Sequence, residues 1–308
     1  MVNWAILGAG KIAKRMASSL KNVEGAKLYG IYARDEEKAE VFSEEFNVEK
    51  IYKSEEELLN DENVDVVYIS SITSKHFEYA KMAIKHHKAV LVEKPAFMNY
   101  KEAKEIVDLA KQNNVLFMEA LKTRFVPAYI HLKEIIDNNI YGKVLSINTQ
   151  LCSFYTMEDL KKTHVYKGFN GGCLHDVGPY CLSYFDDFID DLKIERTDIR
   201  YVDSVDVHTK VNFNCGSLET AFDEKREKTC LIKLEKGEIF IPDLHRPTSL
   251  IINGNEESYP YINDDFYGQL DHFNKLYKNG LKESKVVPFK TTLHLASIYD
   301  EVLKNTAE

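Results

Sequence analysis

Residues 3–16 read NWAILGAGKIAKRM, and the order of features within this stretch decides the fold. An apolar run from Trp4 to Leu7 stops at Gly8-Ala9-Gly10. Apolar residues then return at the three- and four-residue spacing of a helix through 11–23, KIAKRMASSLKNV. Strand, glycine turn and helix in that order match the G-x-G-x-x-A form of a phosphate-binding turn. Gly8 permits the tight turn, Gly10 lets backbone approach a pyrophosphate, and the small Ala13 allows helix and strand to pack closely. The helix N-terminus adds free N–H groups and the positive end of its dipole. Gly8, Gly10, Lys11, Ile12 and Ala13 are therefore candidate cofactor-binding residues. Chance loops also satisfy this motif, so a purely structural turn is the alternative, and the surroundings must decide.

The same alternation runs to about residue 120. KLYGIYA, DVVYISS, AVLVEKP and VLFMEA read as short strands, separated by amphipathic helices such as DEEKAEVFSEEF, KHFEYAKMAIKHH and YKEAKEIVDLAKQNN. Apolar strands alternating with helices mean a parallel sheet covered on both faces, here a doubly wound one. Beyond that point one helix, PAYIHLKEIIDNN, precedes a β-rich middle: KVLSINTQLCSFY, KIERTDIRYV, DVHTKVNFNC, SLETAFDE, KTCLIKLEKGEIFI and SLIINGNEESYPY. Lys236-Gly237 and Asn253-Gly254 sit where two-residue hairpins want them. Two helices, at 265–280 and 292–305, close the chain. The expected architecture is α/β: a Rossmann dinucleotide-binding domain over 1–120, then an α+β domain over 121–308 with a large, mostly antiparallel open sheet. Such a sheet needs helices or another subunit over its second face.

Composition bounds the partners. Across 308 residues, 40 Lys+Arg stand against 49 Asp+Glu, a formal net charge of −9, which argues against nucleic acid or an anionic membrane as the main partner. No apolar run approaches membrane-spanning length, and MVNWAILGAG has no basic segment of the signal-peptide kind. The five cysteines, Cys152, Cys173, Cys181, Cys215 and Cys230, form no C-x-x-C pair; reduced thiols in a cytoplasmic protein are the expectation. No His/Cys cluster has metal-ligand spacing, and no metal is expected.

The end of the second strand is where a ribose is read. NAD-preferring sites carry Asp or Glu there to bond the 2′-hydroxyl, whereas YARDEEK places Arg34 where a 2′-phosphate would sit. Asp35 suits the N-cap of the following helix, and Arg34 as a solvated surface charge is the alternative. The expected cofactor is NADP, or else NAD. LVEKPAF then puts Glu93 and Lys94 at the carboxyl edge of the sheet, where open α/β sheets bind ligands. Pro95 biases Lys94 toward extended torsions, and the peptide between them is a candidate for cis. Glu93 and Glu119 end their strands on the cofactor side, suited to bonding ribose or carboxamide, with a salt-bridge role equally open. Arg124 in TRF is a candidate for cofactor or substrate contact, with a structural pairing as the alternative.

Taken together, GAGKIA, VEKPAF and GGCLHDVGPY resemble the glucose–fructose oxidoreductase/inositol dehydrogenase family, in order and over essentially the whole chain. FMEALKTRFVPA and LKESKVVPFKTTLHLASIYDEVLK resemble its dihydrodiol dehydrogenase branch, which includes xylose dehydrogenases. The resemblance implies an NAD(P)-dependent oxidoreductase moving a hydride between the cofactor and a sugar, polyol or vicinal diol, in a homodimer or homotetramer built through the open sheet. An NAD-retaining glycosidase or a non-catalytic nucleotide sensor are the alternatives on the same fold. It also implies that Lys94, Asp176 and Tyr180 are catalytic. Tyr180 would be the general acid/base; a free tyrosine titrates near about 10, and a nearby ammonium such as that of Lys94 favours its phenolate. Asp176 would bind a substrate hydroxyl or orient its neighbours, and four residues' spacing on a helix puts it on the face of Tyr180. Pro179, between them, suits a helix start. The resemblance places Ser71, Thr73 and His76 along the cofactor's riboses, although this chain has Thr73-Ser74 where the family has Thr-Pro. His164 and His175 flank the motif and are expected to be surface or core residues. Residues 154–170 are the expected specificity loop.

Overall fold

A computed structural model describes residues 1–163, 165 and 171–304. It divides into two compact units, Met1–Ala120 with Phe266–Leu293, and Leu121–Asp265 with His294–Glu308.

The first unit is a six-stranded parallel sheet in the order β3-β2-β1-β4-β5-β6. Its strands are β1 (Val2–Leu7), β2 (Ala26–Tyr32), β3 (Lys50–Ile51), β4 (Val66–Ile69), β5 (Ala89–Glu93) and β6 (Phe117–Ala120). The central strands are buried nearly throughout, which is why they read as unbroken apolar runs rather than alternating ones. Between them run α1 (Lys11–Leu20), α2 (Glu36–Phe46), α3 (Glu55–Asn60), α4 (His76–Lys85) and α5 (Tyr100–Asn113). Strand order reverses between β1 and β4, so the loops after these two strands flank the switch point where such sheets take ligands.

Residues 266–293 differ from the division into 1–120 and 121–308. They hold α9 (Tyr267–Lys278), which packs on the first sheet rather than the second. Trp4 of β1, wholly buried, explains this: its ring meets Phe273 edge-on at 5.4 Å, and its Nε1 donates to Asn274 Oδ1 at 3.2 Å. Tyr277 donates to Asp65 at 2.8 Å, and the Arg15 guanidinium lies 4.6 Å from the Phe266 ring centre.

The second unit is a mixed, mostly antiparallel eight-stranded sheet, β14-β13-β12-β11-β7-β10-β9-β8. Its strands are β7 (Val144–Cys152), β8 (Ile194–Val202), β9 (Val205–Phe213), β10 (Gly216–Ala221), β11 (Cys230–Leu234), β12 (Gly237–Ile241), β13 (Ser249–Ile252) and β14 (Asn255–Ser258). Among the described residues of this sheet, only β7 and β10 pair in parallel. The Asn253-Gly254 hairpin stands as expected, whereas the β11–β12 turn is Glu235-Lys236 with Gly237 opening the next strand. The helices here are α6 (Pro127–Asp137), α7 (Met157–Lys162) and α8 (Cys173–Phe188), with α10 (Phe289–Lys304) divided between the units. Residues 166–170 of the expected specificity loop, and His164, lie outside the described residues. No helix among the described residues is long and apolar enough to cross a membrane, and all five cysteines are free thiols.

Candidate functional site

The glycine turn is held at both sides of the switch point. Gly8 N donates to Tyr32 O at 2.9 Å, and Ser70 at the end of β4 donates through its backbone to Leu7 O. Gly8 has φ +115, and a Cβ there would stand 2.9 Å from Ser70 O, so conformation and space both demand glycine. Gly10 is different. Its backbone is ordinary extended chain, and a Cβ there would meet nothing within 4 Å. It is the N-cap of α1 and offers no side-chain cap; α1 has no acidic residue in its first turn either. The first N–H groups of the helix thus take no hydrogen bond from an N-cap side chain, beside a turn that lets backbone approach. These residues fit a dinucleotide's phosphates. Lys11 and Ile12 are exposed at the same helix start, while Ala13 is buried against the sheet.

Asp35 caps α2, accepting from Lys38 N at 3.2 Å and from Lys38 Nζ at 2.7 Å. Arg34 is exposed one residue earlier. Ser71 is half-buried and donates to Ile72 O, and Thr73 opens a 3-10 turn, Thr73–Lys75.

His76 starts α4 with both ring nitrogens on backbone carbonyls, Nδ1 at 3.0 Å from Pro95 O and Nε2 at 3.2 Å from Ser71 O. It ties the loop after β4 to the loop after β5. Burial, with the Lys94 charge as a lesser cause and backbone carbonyls opposing, lowers its pKa to about 4. The folded group thus protonates less readily than the unfolded one, near 6.5. Stability is therefore full above about pH 6.5 and falls as pH drops from there to about 4, by about 3 kcal/mol at most. Chemical denaturation at stepped pH should show this loss in the wild type and a reduced one in His76→Gln.

Lys94 follows β5, half-buried, and the Lys94–Pro95 peptide is cis. Glu93, buried, accepts from Tyr68 Oη and, through its other oxygen, from Lys94 N at 3.3 Å. Glu119 accepts from Ala96 N at 2.9 Å and from Thr292 Oγ1 at 2.9 Å. Both carboxylates brace the loop that carries Lys94.

In the second unit, Asp176 and Tyr180 stand four residues apart on α8. The helix begins at Cys173 with Gly172 as N-cap, so Pro179 lies inside it and is not its start. Gly178 lowers the cost: a residue before proline is pushed from helical torsions partly by its Cβ, which glycine lacks. Asp206 of β9 anchors the helix start, its Oδ2 accepting from Leu174 N at 2.8 Å and from Thr209 Oγ1 at 3.1 Å. A Cβ on Gly172 would fall 1.9 Å from Asp206 Oδ1, the physical reason for glycine there. The far end of α8 is held by Arg124, on the 3-10 turn Lys122–Phe125. Its guanidinium, 1% exposed, reaches Asp186 at 2.6 Å, Asp187 at 3.1 Å and Ser183 O at 3.3 Å. Burial works against that charge, but Asp187, Tyr129 and Asp186 together hold its pKa above the ordinary value. Arg124 thus makes the structural pairing that the sequence left open. His175 is buried against the Tyr299 ring at 4.7 Å, a core histidine.

The sequence reading missed what surrounds Tyr180. Tyr180 is 7% exposed. The His245 ring stands 4.2 Å from it, centre to centre, and the Lys122 ammonium lies 5.6 Å from its ring centre. Lys122 pairs with buried Asp265 at 2.6 Å, and Arg246 reaches the same carboxylate at 3.3 Å. Tyr184, also on α8, donates to Leu244 O at 2.9 Å, while Asp243 accepts from His245 N and Arg246 N, fixing the loop that carries His245. A lysine in the apolar context of MEALKTRF was the available signal.

Residues 2–121 match a family described as an oxidoreductase family with an NAD-binding Rossmann fold. The chain is 28% identical over 324 residues to trans-1,2-dihydrobenzene-1,2-diol dehydrogenase of Mus musculus, covering 98% of this chain and 96% of that protein. It is 28% identical over 319 residues to scyllo-inositol 2-dehydrogenase (NADP(+)) of Bacillus subtilis, covering 99% and 97%. Among solved structures, a 3-ketoreductase from Actinomadura kijaniata in complex with NADP and TDP-benzene superposes with a TM-score of 0.87 at 19% identity, over 99% of this chain and 97% of that one, a likeness of fold. The phosphate-binding turn and the strand order agree with that match over residues 2–121, and the chain is an NAD(P)-dependent oxidoreductase, similar over nearly its whole length to these diol and polyol dehydrogenases.

Proposed function

We propose that the protein interconverts a secondary alcohol and a carbonyl on a sugar, polyol or vicinal diol, with Tyr180 carrying the proton. The observation that supports this most is the placing of Asp176 and Tyr180 one turn apart on α8, a helix anchored at its start by Asp206 and at its end by Arg124. Relatives that cover nearly the full chain bear the names of diol and polyol dehydrogenases.

The residues that would hold the cofactor are Gly8, Gly10, Lys11, Ile12 and Ala13 at its phosphates, Ser71 and Thr73 along its riboses, and Arg34 at a 2′-phosphate. His76 and Glu93 keep the loops beneath it in place. Bound there, the nicotinamide cofactor supplies the hydride acceptor or donor. In oxidation Tyr180 takes the hydroxyl proton, and in reduction it returns one to the carbonyl oxygen. The role given to the Lys94 ammonium is to favour negative charge on the reacting oxygen. Asp176 accepts a hydrogen bond from a neighbouring substrate hydroxyl, so diols should be turned over faster than simple alcohols. Arg34, exposed and free of hydrogen bonds and ion pairs among the described residues, favours NADP over NAD. We place the enzyme in the cytoplasm, as a homodimer or homotetramer formed through the open sheet.

The test is a panel of aldoses, polyols, vicinal diols and dicarbonyls, followed at the reduced-nicotinamide absorbance band with NADP and NAD in turn. Turnover of a hydroxylated substrate, faster with NADP, is the expected result. A protein that turns over no member of the panel with either cofactor contradicts the reading.

A further inference from the structure

The Tyr180 ring is bordered by charge from within its own unit. Asp176 precedes it on α8. The 3-10 turn Lys122–Phe125 brings the Lys122 ammonium to 5.6 Å from the ring centre. The loop after β12 brings His245 to 4.2 Å and Arg246 behind it. The residue closing the unit's long segment, Asp265, pairs with both Lys122 and Arg246.

Lys122 has a side chain 5% exposed and Asp265 one 4% exposed. Burying such a pair is expensive, and an apolar pair of similar volume would often be at least as stable. Stability is therefore a poor account of why a lysine stands there. Its position over a phenol is a better one. A buried cation beside a tyrosine acts through a medium that screens it weakly, so it favours the phenolate strongly. Lys122 also reaches His245 O at 3.4 Å, and Thr123 reaches the same oxygen at 3.3 Å, so the ammonium and the His245 ring are held in one arrangement around Tyr180.

We infer that Lys122, tempered by Asp265, is a positioning residue that sets the pH at which Tyr180 exchanges its proton. The inference rests on the reading of Tyr180 as the proton carrier. Lys122 acts through the phenol and touches neither substrate nor cofactor in this account. Asp265 has the opposite effect, because it offsets the ammonium.

The experiment is the pH dependence of oxidative turnover by the full chain with its cofactor, in the wild type and three variants. Lys122→Met removes the cation and leaves Asp265, so the pH midpoint should rise by about one unit. Asp265→Asn leaves the cation less offset, so the midpoint should fall by a similar amount. Lys122→Arg keeps the charge and should restore the wild-type midpoint. A merely structural role would lower turnover in the first two without moving their midpoints in opposite directions. Midpoints that stay in place, or move together, overturn the inference. Should Lys122→Met fail to fold, Asp265→Asn and Lys122→Arg decide: a midpoint that falls in the first and stays at the wild-type value in the second supports the inference, and an Asp265→Asn midpoint that stays or rises overturns it. The phenol can also be followed without turnover, by tyrosinate absorbance of each variant against its counterpart carrying Tyr180→Phe. If Tyr180→Phe keeps full turnover, the proton-carrier reading fails; the absorbance titration still decides whether Lys122 and Asp265 govern the phenol.

Discussion

Replacing Tyr180 by Phe is expected to lower turnover by roughly 10²–10⁴-fold, the range over which a positioned general acid or base contributes. The ring stays, so its contacts with His245 and Lys122 survive and the fold should be little disturbed. Only the hydroxyl is lost. Cofactor affinity should be nearly unchanged, because the residues proposed to hold the dinucleotide belong to the other unit. The measurement is kcat together with the cofactor's Kd, the second read by nicotinamide fluorescence. A large fall in kcat with a steady Kd is the signature of a proton carrier. Full turnover would remove Tyr180 from that role.

Gly10→Val is the second large effect, and it separates binding from folding. The extended backbone at Gly10 accepts a branched residue, and a Cβ there meets no protein atom within 4 Å. The cost in stability should be about 1 kcal/mol or less, that of a poorer N-cap. The new side chain, however, fills the space where phosphate must approach the start of α1. Cofactor affinity should fall at least about 100-fold, the loss of roughly 3 kcal/mol of binding. Gly8→Ala behaves differently, since φ +115 and the Ser70 carbonyl oxygen at 2.9 Å make it costly to the fold itself. Thermal unfolding beside cofactor titration distinguishes the two. A Gly10→Val protein that binds as the wild type does would place the phosphates elsewhere.

Much of the first unit was legible because parallel strands buried on both faces leave unbroken apolar runs, and the glycine turn marks where the first one ends. What was not legible has identifiable causes. Periodicity shows that 267–278 is a helix with an apolar face, but not which sheet covers that face; Trp4 and Asp65, more than 200 residues away, decide it. Short helices such as Glu55–Asn60 and Met157–Lys162 offer too few turns for a period. The β8–β9 hairpin turns at Asp203-Ser204, both with positive φ and neither a glycine. Pro179 read as a start because proline usually opens helices, and Gly178 lessens the clash by lacking the Cβ that would add to it.

The site divides the same way. Asp176 and Tyr180 are four residues apart, so a helix alone brings them to one face. Lys122, His245 and Asp265 are scattered over more than 140 residues and meet only through the strand order of the second sheet and its loops. No local pattern carries that information. Arg124 and Glu119 were legible as charged residues near strand ends, yet their partners, Asp186, Asp187 and Thr292, are distant in sequence. Function and scaffolding look alike until partners are seen.

The central claim is that the Lys94 ammonium and the Tyr180 phenol serve one chemical step. Turnover of the double variant Lys94→Met/Tyr180→Phe, beside the two single variants, tests it most directly. Groups that act as a unit lose their joint effect when either is removed. The account predicts a double variant about as slow as the slower single one; losses that multiply would mean the two residues contribute independently and would contradict it.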